Sequence, residues 1–261
     1  MKNKPAPHRQ GETFESKKNI VIGLPDIHFP TNIDLQGIYD FLRDNRDRIW
    51  KVIFMGDIIN ADGLSKKYRT VDAETGLLDT VTELKEFKKE IFDKIVRIVP
   101  EAEFIMLGGN HLEERIAKAI MENPKRGVLL NLEEYFPNVK LLNYNEYYKV
   151  GNLYYTHGHY FNDAHAKKHL VTVRRNLVYG HTHDTQEYTA KSPVDSEPTM
   201  AKSVGCLCKD QEYAHKMPTS RVNAFHYMVA NKDGTFYEFT IKINRDGTFY
   251  FNNKLYGKTK K

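Results

Sequence analysis

An α/β fold is what this sequence predicts, on three observations. Apolar runs of strand length recur at residues 19–25, 51–55, 103–107, 153–156 and 177–179. Between them, apolar residues fall three and four apart, the spacing of helices packed against a sheet. The final stretch carries two Asp-Gly turns flanked by β-forming residues, a hairpin signal.

The 261 residues are enough for one large domain with a substantial core, and 40% hydrophobic with 28% charged content is that of a globular chain. No apolar run approaches the roughly 20 residues of a membrane span. The N-terminus is polar and basic, unlike a secretory signal. Cys206 and Cys208 are too close for an ordinary disulfide and too few for a structural zinc site. Reduced thiols and a cytoplasmic protein are expected. The net charge of +5 owes much to lysines at both tails, which read as solvated ends or as a mild attraction to polyanions.

Residues 1–17 have the composition of a disordered tail, and 18–261 read as one domain with a β-rich end. The strand at 19–25 runs into Asp26-Ile27-His28. Leu35, Ile38, Phe41 and Leu42 then mark a helix. The strand at 51–55 ends in Gly56-Asp57. Residues 60–82 read as a long polar loop, either functional or mobile, with Lys66, Lys67 and Arg69 together. Leu84, Phe87, Ile91, Ile95 and Ile98 predict an amphipathic helix stopped by Val99-Pro100.

The strand at 103–107 leads into Gly108-Gly109-Asn110-His111, and Leu112, Ile116, Ala119 and Ile120 open another helix. Residues 124–150 read as a mixed connection with one strand near 139–142. Leu153–Thr156 ends in His157-Gly158-His159, and a basic helical stretch runs from Ala164 to Arg175. Leu177-Val178-Tyr179 ends in Gly180-His181-Thr182-His183. Alternation along an extended backbone would aim His181 and His183 to one side. The peptide Asp-Gly-Thr-Phe-Tyr at 233–237 and again at 246–250 suggests two similar turns of one meander.

Ligand sites in α/β proteins gather beyond the carboxyl ends of strands. Five strand ends here carry Asp26 and His28, Asp57, Asn110 and His111, His157, then His181 and His183. Singly, each reads as a helix cap, a turn or a satisfied histidine. Together they mix carboxylate, amide and imidazole donors without thiolate, which suits Mn, Fe or Zn.

The series Asp26-x-His28, Gly56-Asp57-x-x-Asn60, Gly109-Asn110-His111, His157-Gly158 and Gly180-His181-x-His183 resembles the calcineurin-like metallophosphoesterase superfamily, with all five motifs in order. A looser resemblance is to phage and bacterial members of the DNA-repair exonuclease type. The resemblance implies a two-sheet β-sandwich core flanked by helices. It implies a phosphoesterase in which two divalent ions, Mn²⁺ first and Fe, Zn or Ni as alternatives, activate water. Asp26, His28 and His183 would hold one ion, Asn110, His157 and His181 the other, and Asp57 would bridge. His111 would serve the leaving group. Many members carry an acid after the Asn-His pair, where this chain has Leu112, with Glu113 and Glu114 following.

The expected substrate is a phosphodiester of DNA or RNA, motivated by Lys66, Lys67, Arg69 and the basic stretch to Arg175. A small nucleotide or a phosphoprotein is the alternative. Tyr68, Tyr160 and Phe161 could stack on bases or pack on neighbours. A non-catalytic scaffold on the same fold is a third reading, which predicts missing ligands. The Cys206-x-Cys208 pair reads as packing.

Overall fold

The computed structural model describes residues 18–30, 32–193, 197–209 and 220–257. The tail at 1–17 lies outside the described residues. The chain runs β1 (Ile20–Leu24), α1 (Gln36–Asp44), β2 (Ile49–Phe54), α2 (Ala73–Phe87), α3 (Asp93–Ile98), β3 (Glu103–Leu107), α4 (Glu113–Glu122), α5 (Leu132–Tyr135) and β4 (Lys140–Leu142). It continues through β5 (Tyr148–Val150), β6 (Leu153–Thr156), α6 (His165–Val173), β7 (Asn176–Tyr179), β8 (Glu187–Ala190) and β9 (Thr199–Ser203). Last come β10 (Ala224–Ala230), β11 (Phe236–Lys242), β12 (Phe249–Phe251) and β13 (Lys254–Tyr256).

Two main sheets face each other. The first has the order β11-β10-β1-β2-β3-β4 and the second β5-β6-β7-β9-β8. Alternation along each strand explains the layers. In the first sheet Val21, Ile53, Met55, Ile105 and Leu107 meet Leu153, Tyr155 and Val178 of the second in one buried core. The intervening residues, such as Ile22, Leu24, Val52 and Phe54, point outward under Phe41 of α1 and Leu84 of α2. On the far side Leu177 and Tyr179 pack beneath Leu170 of α6. The result is a two-sheet sandwich with helices on both outer faces, the layering that the resemblance implied.

Several elements differ from the sequence reading. The stretch 60–82 is not all loop, because α2 begins at Ala73. Asp72 caps it, its side chain accepting from the amides of Glu74 and Thr75, and Leu77 and Val81 extend the buried stripe back from Leu84. Gly76 and Thr80 obscured that stripe in the sequence. The glycine is required by contact: a Cβ at Gly76 would lie 2.1 Å from the Gly63 carbonyl oxygen. Strands β5, β8, β9 and β13 were also not anticipated; they are short, and β8 is mostly polar.

The repeated peptide does build two like turns. Asp233 accepts from the amide and hydroxyl of Thr235 at 2.9 and 2.6 Å, and Asp246 from those of Thr248 at 3.0 and 2.6 Å. They do not belong to one meander, however. Only the first joins paired strands of the large sheet, whereas β12 leaves it and pairs with β13.

Candidate metal centre

The five site-bearing strands come from both sheets, β1, β2 and β3 running parallel in one and β6 and β7 parallel in the other. Their carboxyl ends therefore open along one edge of the sandwich. The backbone leaves these strands by an uncommon route. Asp26, His28, Asp57, His181 and His183 all have positive φ, between 43° and 68°. Non-glycine residues visit that region at a cost, and such residues cluster where surrounding structure holds a functional geometry. This corrects the extended backbone expected for 181–183. With both histidines in the left-handed region, their rings turn to different partners rather than to one side.

The rings sort the donors into two groups. In the first, His183 Nε2 lies 3.3 Å from Asp26 Oδ1 and 3.1 Å from His28 Nε2. In the second, Asn110 Oδ1 is 3.0 Å from both His157 Nε2 and His181 Nδ1, which are themselves 3.3 Å apart. Asp57 Oδ2 stands between, 3.8 Å from His28 Nε2 and 3.2 Å from His157 Nε2. Of the seven expected ligands, the structure brings three into each group with Asp57 facing both.

His157 Nδ1 donates to the Met55 carbonyl at 2.9 Å, and His28 Nδ1 lies 2.9 Å from Asn60 Oδ1. These contacts leave both Nε2 atoms directed inward, where an ion would displace any proton that Nε2 of His157 holds against Asp57. Donors sharing one divalent ion at about 2.1 Å stand about 3.0–3.5 Å apart. The donor set fits divalent ions by spacing and by lone-pair direction. Asp57-His157-His181 and His28-Asp57-His111 each bring ligand atoms within 4.8 Å of one another.

Charge points the same way. Asp26 and Asp57 are 0% and 3% exposed. Burial works against their ionised forms, yet the neighbouring histidines outweigh it, and Asp57 is held well below the usual carboxylate range. Burial pushes His28 down to about 3 and His181 down to about 4. Burial opposes the charge on His157 too, but the Asp57 carboxylate overrides it and holds His157 up to about 9. Two buried carboxylates thus demand positive charge: they push His157 and His183 toward the charged form, while burial keeps His28 and His181 neutral.

His111 touches the first group edge to face with His28, ring centroids 4.8 Å apart, and its Nδ1 is buried without a hydrogen-bond partner. Glu113 does not orient it; that carboxylate accepts the Tyr144 amide at 2.6 Å. Lys66 is paired with Glu122 at 2.7 Å and Lys67 lies over the Tyr68 ring, while Arg69 is partly exposed on the same loop.

Three contributors were missed from sequence. Arg115 bonds the Asn60 carbonyl at 2.5 Å and Asp62 at 2.6 Å, fixing the loop that orients His28. Cys208, read as packing, lies with its sulfur 4.0 Å from His183 Nδ1 and forms a candidate group with His28 and His183. Arg221 reaches that sulfur at 3.1 Å. The Cys-x-Cys pair was the one available signal; nothing in the sequence marks Arg115 or Arg221.

The sequence matches no family model and none of the curated proteins. Weak similarities to solved structures span most of the chain. A single mutant of Vps29 from Entamoeba histolytica aligns at 17% identity and TM-score 0.42, over 86% of this chain and 99% of that one. Vps29 from Cryptosporidium parvum aligns at 12% and 0.41, over 86% and 97%. The Pseudomonas putida nuclease MPE aligns at 10% and 0.34, over 84% and 86%. What the site can do is read from its own residues. Among the described residues no helix is long and apolar enough to cross a membrane.

Proposed function

We propose that this protein is a phosphoesterase that holds two divalent ions, Mn²⁺ by preference, and hydrolyses phosphodiester bonds of nucleic acid. The observation that carries the reading is Asp57, one buried carboxylate oxygen placed toward both donor groups. Asp26, His28 and His183 would hold one ion, and Asn110, His157 and His181 the other. Bound there, two divalent ions supply hydroxide near neutral pH and offset charge on the phosphoryl oxygens.

The protein's own residues do the rest. The carbonyl of Met55 and the side-chain oxygen of Asn60 accept from Nδ1 of His157 and His28 and keep two imidazoles in the right tautomer. Asp26 accepts the His181 amide at 2.9 Å, locking the turn that supplies one ligand to each group. His111 holds a proton for the leaving oxygen. Burial lowers its pKa, with Asp57 opposing, so the neutral imidazole prevails until an anionic substrate arrives beside it.

Nucleic acid is favoured by a groove of about 970 Å³ whose lining carries four cations, Lys209, Arg221, Lys242 and Arg245, against two carboxylates, Asp34 and Asp246. It abuts the first group through Arg221, and the Val222 amide bonds the His183 carbonyl at 2.8 Å. An excess of cations beside the site suits a polyphosphate backbone.

The test is hydrolysis of bis(p-nitrophenyl) phosphate beside p-nitrophenyl phosphate, with Mn²⁺ and with EDTA. Metal-dependent diester cleavage is expected, followed by cleavage of oligonucleotides. Monoester cleavage alone would replace the diesterase with a phosphatase. Metal binding with no hydrolysis of either ester, or of oligonucleotides, would overturn the reading. His111→Ala should cost rate on poor leaving groups and spare activated esters; equal loss on both would remove it from that role.

A further inference from the structure

We infer that Phe161 is a nucleobase platform at the mouth of the metal centre, so that the substrate is recognised by a base as well as by its phosphate. The inference rests on the phosphoesterase reading above. Three aromatics near the site were candidates for stacking, and the structure separates them. Tyr68 lies between Lys67 and Arg115, whose charged groups stand 4.9 and 5.4 Å from its ring centre. Tyr160 packs on His169 with centroids 4.9 Å apart, carries Lys168 at 4.2 Å, and bonds Thr172 through its hydroxyl. Both are occupied by their own surroundings.

Phe161 differs. It is 82% exposed, and its ring centroid lies 6.3 Å from that of His181, a member of the second donor group. A large ring left in water at a site mouth has hydrophobic surface to give to a ligand. The ring stands next to His181, so a phosphate at the donors and a base on Phe161 can belong to one nucleotide. Base stacking on an aromatic ring contributes about 1–3 kcal/mol and needs an unpaired base. The chemistry therefore points to a single-stranded or frayed end, with its phosphate at the donor groups and its base on Phe161.

The experiment measures binding of adenosine monophosphate and ribose 5-phosphate to the full-length, Mn²⁺-loaded protein by calorimetry. The two share a sugar phosphate and differ by the base. Wild type should prefer the nucleotide by about 5- to 150-fold. Phe161→Ala should abolish that preference and leave ribose phosphate binding unchanged, whereas Phe161→Tyr should keep it. Equal affinities in wild type, or a preference that survives Phe161→Ala, would overturn the platform. Failure of metal-loaded wild type to bind either ligand is a different result: it removes the phosphoester reading and this inference with it. Ribose phosphate binding also reports the fold of each variant, so a misfolded protein is recognised as such.

Discussion

The two donor groups share Asp57 and little else. The first is sunk in the sandwich: Asp26 and His28 are fully buried, and the His183 side chain is only 17% exposed. It includes a carboxylate of its own and has the Cys208 sulfur and the His111 ring as neighbours. The second contains an amide in place of that carboxylate, and His181 leads outward to the exposed Phe161. Coulombic attraction to a divalent ion is larger with the extra negative charge and in the drier setting. On the proposed two-ion reading, the first group would hold its ion the more tightly and the second would exchange ligands with incoming substrate.

Asp57→Asn gives the largest expected effect, because it withdraws the charge that both groups share. Metal content by atomic emission should fall at both positions, and diester hydrolysis by more than about 100-fold. Loss of a single ion would break the comparison at its root, since Asp57 would then serve one group only.

Gly180→Ala comes next. A Cβ there would lie 2.1 Å from Asp26 Oδ2, which would have to give up its hold on the His181 amide. Affinity for the more tightly held ion should drop about 10- to 100-fold with the protein still folded. Unchanged affinity would mean that Asp26 tolerates displacement and is not held as a ligand must be. A smaller contrast sharpens the ranking. On titration with Mn²⁺, two binding phases are expected, with Asp26→Asn weakening the tighter and Asn110→Ala the looser. The reverse assignment would show that burial and charge do not set the order.

Much of this was legible in the sequence because chemistry and punctuation coincided. Each of the five site strands is a compact apolar run that stops at a candidate ligand, and these are residue types with few other reasons to recur together at strand ends. The positive φ angles were not legible, since a local sequence of Gly-His-Thr-His is compatible with an extended backbone. Only Asp26 reaching across from the other sheet to the His181 amide makes the left-handed turn the stable choice. The start of α2 was hidden by Gly76, whose presence answers to Gly63 on another segment. Arg115 and Arg221 act through tertiary contacts alone, and a single arginine in a charged sequence announces nothing.

Behind the first group, Glu83 supports the loop that carries Asn60, accepting the Ala61 amide at 2.9 Å where Ala61 itself has φ 52°. Burial pushes this carboxyl up to about 7, against the Ala61 amide, which favours the ionised form. The folded value lies above the ordinary 4.5 of the unfolded chain. The stability linked to that proton is therefore fully present below about pH 4.5 and is lost as pH rises through about 7. The rise from 4.5 to about 7 corresponds to about 3 kcal/mol, reduced to about 2 kcal/mol for a side chain that keeps some contact with water. Glu83→Gln keeps an acceptor for Ala61 and removes the ionisation. In urea unfolding, the variant should match wild type near pH 4 and exceed it by about 2 kcal/mol near pH 8. The second group has no such carboxyl behind its ligands in the contacts described for Asn110, His157 and His181. The pH sensitivity should therefore reach metal retention at the first group and spare the second. If the variant and wild type lose stability in parallel from pH 4 to 8, Glu83 is ionised in the fold, and the buried group is less dry than its partner residues make it.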